Sequence, residues 1–329
     1  MLNFVNYLKL IAAILITNSH FGKVWPVSSM ATGGLLGNVI FLAVSGYLLY
    51  NVKLKFPKWF LKRFLRVYPV MAIFTLVVSL FGIYSLKSFD DFVRMFLYPT
   101  NYIFIVWLLV CYCVLYVVAY LDKHVNHFLE ISMGVVLLAW VLTYVVFYDK
   151  SAYTVDNVYE PFILFLYVES MLLGSFFKKH GSKIGVFKLY KPFATGIALI
   201  AYFASKILVS KVDALLSVQI LNQFVLFAAL YFTFDLFMSI EPQLSKAPKW
   251  IAIPTKYVSN ITLQIYIVQF VVLMYLQDLV FPVNLIAVVV CILLAASVLY
   301  YAELYIRKGI NYWIESWKKK RTGEKNEEC

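Results

Sequence analysis

Charge is what this sequence has least of. Of its 329 residues only 14% are Asp, Glu, Lys or Arg, and 63% are hydrophobic. A soluble domain usually carries about 25% charged residues. The apolar excess runs along the whole chain, so no soluble module stands apart from it. Such a composition describes a polytopic membrane protein. Acidic residues are scarcest, 17 against 29 basic ones, for a formal net charge of +12. That surplus does not point to nucleic acid, because the basic residues sit in short connectors between apolar runs. Cysteine is sparse too. Cys111, Cys113 and Cys291 lie inside apolar runs, and Cys329 ends the chain. The Cys-x-Cys pair lacks the further ligands zinc needs, so neither a disulfide nor a metal site is expected. No basic stretch precedes the first apolar run and no small-residue cleavage site follows it. It is expected to remain as a span. There is no internal repeat and no symmetry of broken helices.

What is present is a series of apolar runs of spanning length. They predict an all-α bundle of ten spans, near 3–22, 33–52, 67–86, 98–121, 128–148, 159–177, 192–210, 215–238, 257–277 and 283–305. Residues 1–306 form the transmembrane domain and 307–329 a charged tail. The seventh run is the weakest, because Lys206 and Lys211 crowd its end. With the N-terminus inside, the inner connectors and tail hold 22 basic residues. The outer connectors hold six: Lys23, Lys87, Arg94, Lys150, Lys206 and Lys211. Basic residues concentrate on the cytoplasmic side, so both termini are expected there.

The first run, MLNFVNYLKLIAAILITNSHF, carries Lys9 and His20. Ionisable groups within a span are costly and mark function by default. The two are eleven residues apart, about 20° past three full turns, and so share one helix face. Along the axis they are roughly 16 Å apart. A long, thin substrate with an anionic head and a reactive far end suits that spacing. The bland alternative is a snorkelling lysine and an interfacial histidine. His124, His127 and His180 fall in inner connectors, where a solvated structural role suits them better.

The connector KLKFPKWFLKRFLR, residues 53–66, is basic and aromatic with helical spacing after Pro57. It reads as an interfacial helix on anionic lipid. Arg63 and Arg66 are i, i+3 on one face, and two guanidiniums at a membrane entrance can also hold phosphates. Three acids lie in or near spans: Glu169, Asp235 and Glu303. Glu169 lies mid-span and is the better candidate for a buried polar partner. Asp235 and Glu303 lie near inner ends, too far from His20 to orient it. A structural pairing suits any one of them better than catalysis.

Together these stretches resemble the acyltransferase 3 family of integral membrane O-acyltransferases. Lys9, ten residues and His20 resemble its basic-x10-His first helix, where arginine is commoner. Residues 39–49, VIFLAVSGYLL, resemble its Ser-Gly-Tyr/Phe second helix. Residues 62–69, KRFLRVYP, resemble its Arg-x-x-Arg-x-Tyr-Pro entry to the third. Weaker echoes fall at Trp107-Leu108, Gly174, Ser259 to Gln269, and Glu303. Gln269 stands where the ninth-helix pattern often has histidine. The resemblance implies transfer of an acyl group, often acetyl, from cytoplasmic coenzyme A to a hydroxyl of an extracytoplasmic or lipid-linked saccharide, at the cell membrane. Acyl-coenzyme A is then a donor substrate, with no permanently bound cofactor. His20 is the expected base, by direct attack or through acyl-histidine. Lys9, Arg63 and Arg66 are expected to hold the donor phosphates, and Ser45, Tyr47 and Glu169 to line the pocket. Ser45 and Tyr47 could equally serve helix packing. An exporter or flippase of a polysaccharide precursor is the rival reading. It predicts discontinuous helices and internal symmetry, and the sequence displays neither.

Overall fold

The computed structural model describes the backbone of residues 2–184 and 186–327, and the side chains of 2–181 and 186–308. Among these residues there is no strand. Thirteen α-helices follow in order. They are α1 (Asn3–Ser19), α2 (Gly34–Leu49), α3 (Phe56–Leu80), α4 (Phe89–Phe92), α5 (Ile103–Leu121), α6 (Phe128–Phe147), α7 (Ile163–Ile184), α8 (Tyr190–Lys211), α9 (Ile220–Ser239), α10 (Glu241–Leu244), α11 (Lys249–Asn260), α12 (Thr262–Leu276) and α13 (Val283–Glu327). Seven helical stretches are long and apolar enough to cross a membrane, and the bent pair α11 and α12 makes up to eight.

The bundle is built around α1, α2 and α7. Gly46 and Gly174 make the central crossing possible. A Cβ on Gly46 would lie 1.8 Å from the Met171 carbonyl oxygen of α7, and one on Gly174 would lie 1.8 Å from the Ala43 carbonyl oxygen of α2. Each glycine thus lets the other helix's backbone approach, as small residues do where helices pack in lipid. On α7, Ser175 Oγ donates to the Gly46 carbonyl at 3.3 Å. α1 packs on the other side of α2, where a Cβ at Gly37 would meet the Ala12 carbonyl at 2.8 Å. The N-terminus of α1 is capped from afar. Glu241 accepts from the Asn3 N–H at 2.9 Å and from the Phe4 N–H at 2.6 Å. A carboxylate at that end satisfies free N–H groups and complements the helix dipole.

Three features differ from the sequence expectation, and the weakest expected span holds. The third helix begins at Phe56, not near 67, so the basic connector is the first part of that helix rather than a separate interfacial one. Pro57 falls in its first turn, where a missing N–H costs nothing. The ninth apolar run is discontinuous: α11 and α12 meet at Ile261 with a bend of 73°. Hydropathy does not register such a break, because the apolar run 257–277 crosses Ile261 without interruption. α8 passes as a span despite Lys206 and Lys211, and Lys206 pairs with Asp156 at 2.8 Å. The charged tail continues α13 as helix to Glu327.

Candidate active site

The break between α11 and α12 leaves room for a cavity of about 530 Å³. It is enclosed by α1, α2, α3, α5, α12 and α13. Its wall brings together Lys9, Ser45, Arg63 and Arg66, four of the seven residues singled out from sequence, and adds Lys62, Tyr112, Gln264, Glu303 and Arg307. The helical continuity of α3 carries Lys62, Arg63 and Arg66 into the same wall. Arg63 also stacks over the Trp59 ring at 4.8 Å, and Trp59 is buried.

The charges in this wall are unbalanced. Glu303 is its one acid, and it is committed. It pairs with Arg307, one turn further along α13, and accepts from Gln264 Nε2 at 2.6 Å. Lys9, Lys62, Arg63 and Arg66 make no ion pair among the described residues. Four cations converging without counter-charge, two of them guanidiniums with planar forks, form a receptor for a polyanion. Ser45 donates back to the Phe41 carbonyl at 2.9 Å, so its hydroxyl is a small polar patch in an apolar stretch.

The cavity lining follows α1 past Ala13 and Ile16 to Thr17. His20 stands just beyond, exposed at the C-cap of α1. Its ring meets the Phe270 ring edge-on, with centroids 4.8 Å apart. Asn18 fixes this end of the helix. It donates to the carbonyls of Met30 and Thr32 at 2.8 and 3.0 Å and accepts from Trp25 Nε1 at 2.8 Å. The cations and the imidazole therefore lie at different levels of α1, on the face that Lys9 and His20 share, with Thr17 the last lining residue before His20.

Two expected pocket residues are elsewhere. Tyr47 is buried between the rings of Phe4 and Phe234, with Lys178 Nζ 4.9 Å over its face. Helix positions two apart face about 200° apart, so Ser45 and Tyr47 cannot share a wall. Glu169 is buried on α7, and its Oε1 has no hydrogen-bond partner among the described residues. Asp235 pairs with Lys191 at 2.7 Å in a buried contact. Glu303, expected near an inner end and too far from His20 to orient it, lies in the cavity wall with the cations. Sequence alone could have found Arg307, which sits at i+4 from Glu303, and Lys62, which adjoins Arg63. The contribution of Gln264 needed the helix break.

The profile of the acyltransferase 3 family, described as an acyltransferase domain, matches residues 2–302. The chain belongs to the acyltransferase 3 family. No curated protein and no solved structure matches it. As a family member the chain is an acyltransferase that transfers groups other than aminoacyl groups. The matched span covers every residue of the cavity wall except Glu303, Leu304 and Arg307.

Proposed function

We propose that the protein moves an acyl group, acetyl in the simplest case, from coenzyme A to a hydroxyl of an extracytoplasmic or lipid-linked saccharide. The observation that carries this reading is the cavity, which gathers four uncompensated cations and whose lining follows α1 as far as Thr17, with His20 one turn beyond. Coenzyme A has the complementary form: a phosphorylated nucleotide head, a thin arm and a thioester at the tip. Lys9, Lys62, Arg63 and Arg66 hold the phosphates. The arm lies along α1 past Ser45 and Ala13, and the thioester reaches towards His20. The basic-residue bias supports cytoplasmic termini, a cytoplasmic cationic end and a cell-membrane location.

His20 takes the proton of the acceptor hydroxyl, whose oxygen attacks the thioester carbon. The C–O bond forms and the C–S bond breaks. The leaving thiolate takes the proton from the imidazolium and departs as coenzyme A thiol. The alternative route through acyl-histidine uses the same residue as nucleophile. The bent α11–α12 pair resembles the broken helices of transporters, yet it is the one such bend among the described residues. Its break opens into the cationic cavity, which gives it a donor-binding role.

The test is purified protein with acetyl-coenzyme A, read as thioester cleavage and as coenzyme A binding. Turnover with an acceptor saccharide is expected. Absence of both binding and cleavage would overturn the reading.

A further inference from the structure

We infer that the side-chain amide of Gln269 hydrogen-bonds the acyl carbonyl oxygen during transfer, next to His20. This rests on the acyl-transfer reading above and assigns to that reaction a residue outside the cavity wall.

Gln269 is fully buried, and neither its Oε1 nor its Nε2 has a hydrogen-bond partner among the described residues. A buried polar group without a partner costs about 1–3 kcal/mol. Other buried amides in this fold are provided for. Asn38 donates to the Tyr167 hydroxyl at 2.9 Å. Gln219 accepts from the Thr154 and Val155 N–H groups and donates to the Ala152 carbonyl. Asn222 donates to the Tyr202 carbonyl, and Asn284 to the Val24 carbonyl. Gln264 and Gln223 each have one end satisfied. At Gln269 both ends are without a partner. Packing alone would be served better by methionine or leucine, so the amide answers to a group that is not part of the chain.

Its position indicates which group. α12 runs beside α1 in the same sense. Ile265 lines the cavity with Ala13 and Thr17, and Phe270 packs on His20. Gln269 is one turn beyond Ile265 and next to Phe270, at the level between the end of the cavity and the imidazole. Any acyl group carried along α1 to His20 must cross that level. Its atoms are enclosed here, so the acyl end enters by displacing the packing around Phe270. Thr17 Oγ1, at the cavity's end, is likewise buried without a partner. It differs from Ser45, Ser170 and Thr195, which each return their hydroxyl to the carbonyl four residues earlier, and shares its lack of a partner with Thr233 on α9. Two polar groups without partners thus mark one level of the path.

The chemistry needs a donor there. As the acceptor oxygen attacks, the thioester carbonyl oxygen gains negative charge. A preorganised N–H in a dry site stabilises that charge, and removal of one such donor typically costs about 10²–10³ in rate. An amide stays neutral and keeps its proton at every working pH.

The experiment uses the full chain in detergent. Its probes are coenzyme A, a ketone analogue that keeps the carbonyl but cannot be cleaved, and a thioether of equal length without the oxygen. The wild type should bind the ketone about tenfold more tightly than the thioether. Gln269→Met should bind coenzyme A as the wild type does and lose the ketone preference. Its transfer rate should fall by about 10²–10³. Its melting temperature should be unchanged or higher, because two unpaired polar atoms are removed. Near-wild-type transfer by the variant would overturn the assignment. So would a lower melting temperature with coenzyme A binding lost in step, the mark of a packing role. Wild type that binds coenzyme A without preferring the ketone would overturn this assignment alone. Wild type that binds no coenzyme A would overturn the donor reading, and this one with it.

Discussion

At the scale of single residues, the tasks proposed for Lys9 and His20 are separable, and substitution should show it. His20→Ala should lower transfer by about 10²–10⁴, the usual cost of a lost general base, with coenzyme A binding intact. Lys9→Ala should instead raise the donor KM, with rate partly restored at high donor concentration. Lys9→Arg should be tolerated, because a cation at that depth is the requirement. Equal losses of donor affinity in the His20 and Lys9 variants would refute this division. Arg66→Ala should weaken coenzyme A binding and flatten its salt dependence, since one phosphate contact is removed. Unchanged affinity in a folded Arg66→Ala protein would leave that side chain as a lipid anchor. Much of the wall was legible in the sequence. Lys9 is a charge where charge is expensive, and Arg63 and Arg66 stand out as an i, i+3 pair at the entry to a span. Tyr47 and Glu169 were misplaced because polarity within a span does not reveal which neighbour a side chain faces.

At the scale of elements, the decisive contact is the crossing of α2 and α7. Gly46→Ala places a methyl carbon 1.8 Å from a main-chain carbonyl oxygen, which no rotamer can relieve. The two helices must separate, at a cost of about 1–3 kcal/mol or more. A lower melting temperature in detergent should report it. Gly196→Ala is the control, because nothing lies within 4 Å of the added carbon, and its melting temperature should hold or rise. Equal effects of the two substitutions would refute the crossing argument. Helix existence was legible from apolar runs, because burying backbone polar groups in lipid leaves little but helix. The joints were not legible. The start of α3 at Phe56, the bend at Ile261 and the capping of α1 by Glu241 depend on partners far away in sequence. Glu241 lies 238 residues from Asn3.

At the scale of the whole molecule, four elements are tied together at the end away from His20. Tyr50 after α2, Asp122 after α5, Glu130 on α6 and Lys179 on α7 form one network. Lys179 lies 2.9 Å from Asp122 and 3.0 Å from Glu130. The Tyr50 hydroxyl and the Leu129 N–H also donate to Asp122. Burial pushes the Asp122 carboxyl up, but these donors outweigh it and hold it below its ordinary value. Its contribution to stability is therefore full above the ordinary value of 3.8. It is lost as pH falls through the lowered one. Asp122→Asn should lower the melting temperature at pH 7 and flatten its decline towards pH 3. A parallel acid decline in both proteins would show that other groups govern it. The charge imbalance of the cavity has a consequence of a different kind. Lys9 of α1 shares a wall with Lys62, Arg63 and Arg66 of α3, so without a polyanion between them these like charges repel. A bound polyanion removes that repulsion and acts as a ligand of the folded state. At a hundredfold excess over its Kd it should add about 2.7 kcal/mol of stability. Adenosine 3′,5′-bisphosphate, which lacks any acyl group, should therefore raise the melting temperature, and Arg66→Ala should blunt the rise. Supply of the nucleotide would then govern how long the enzyme lasts as well as how fast it turns over.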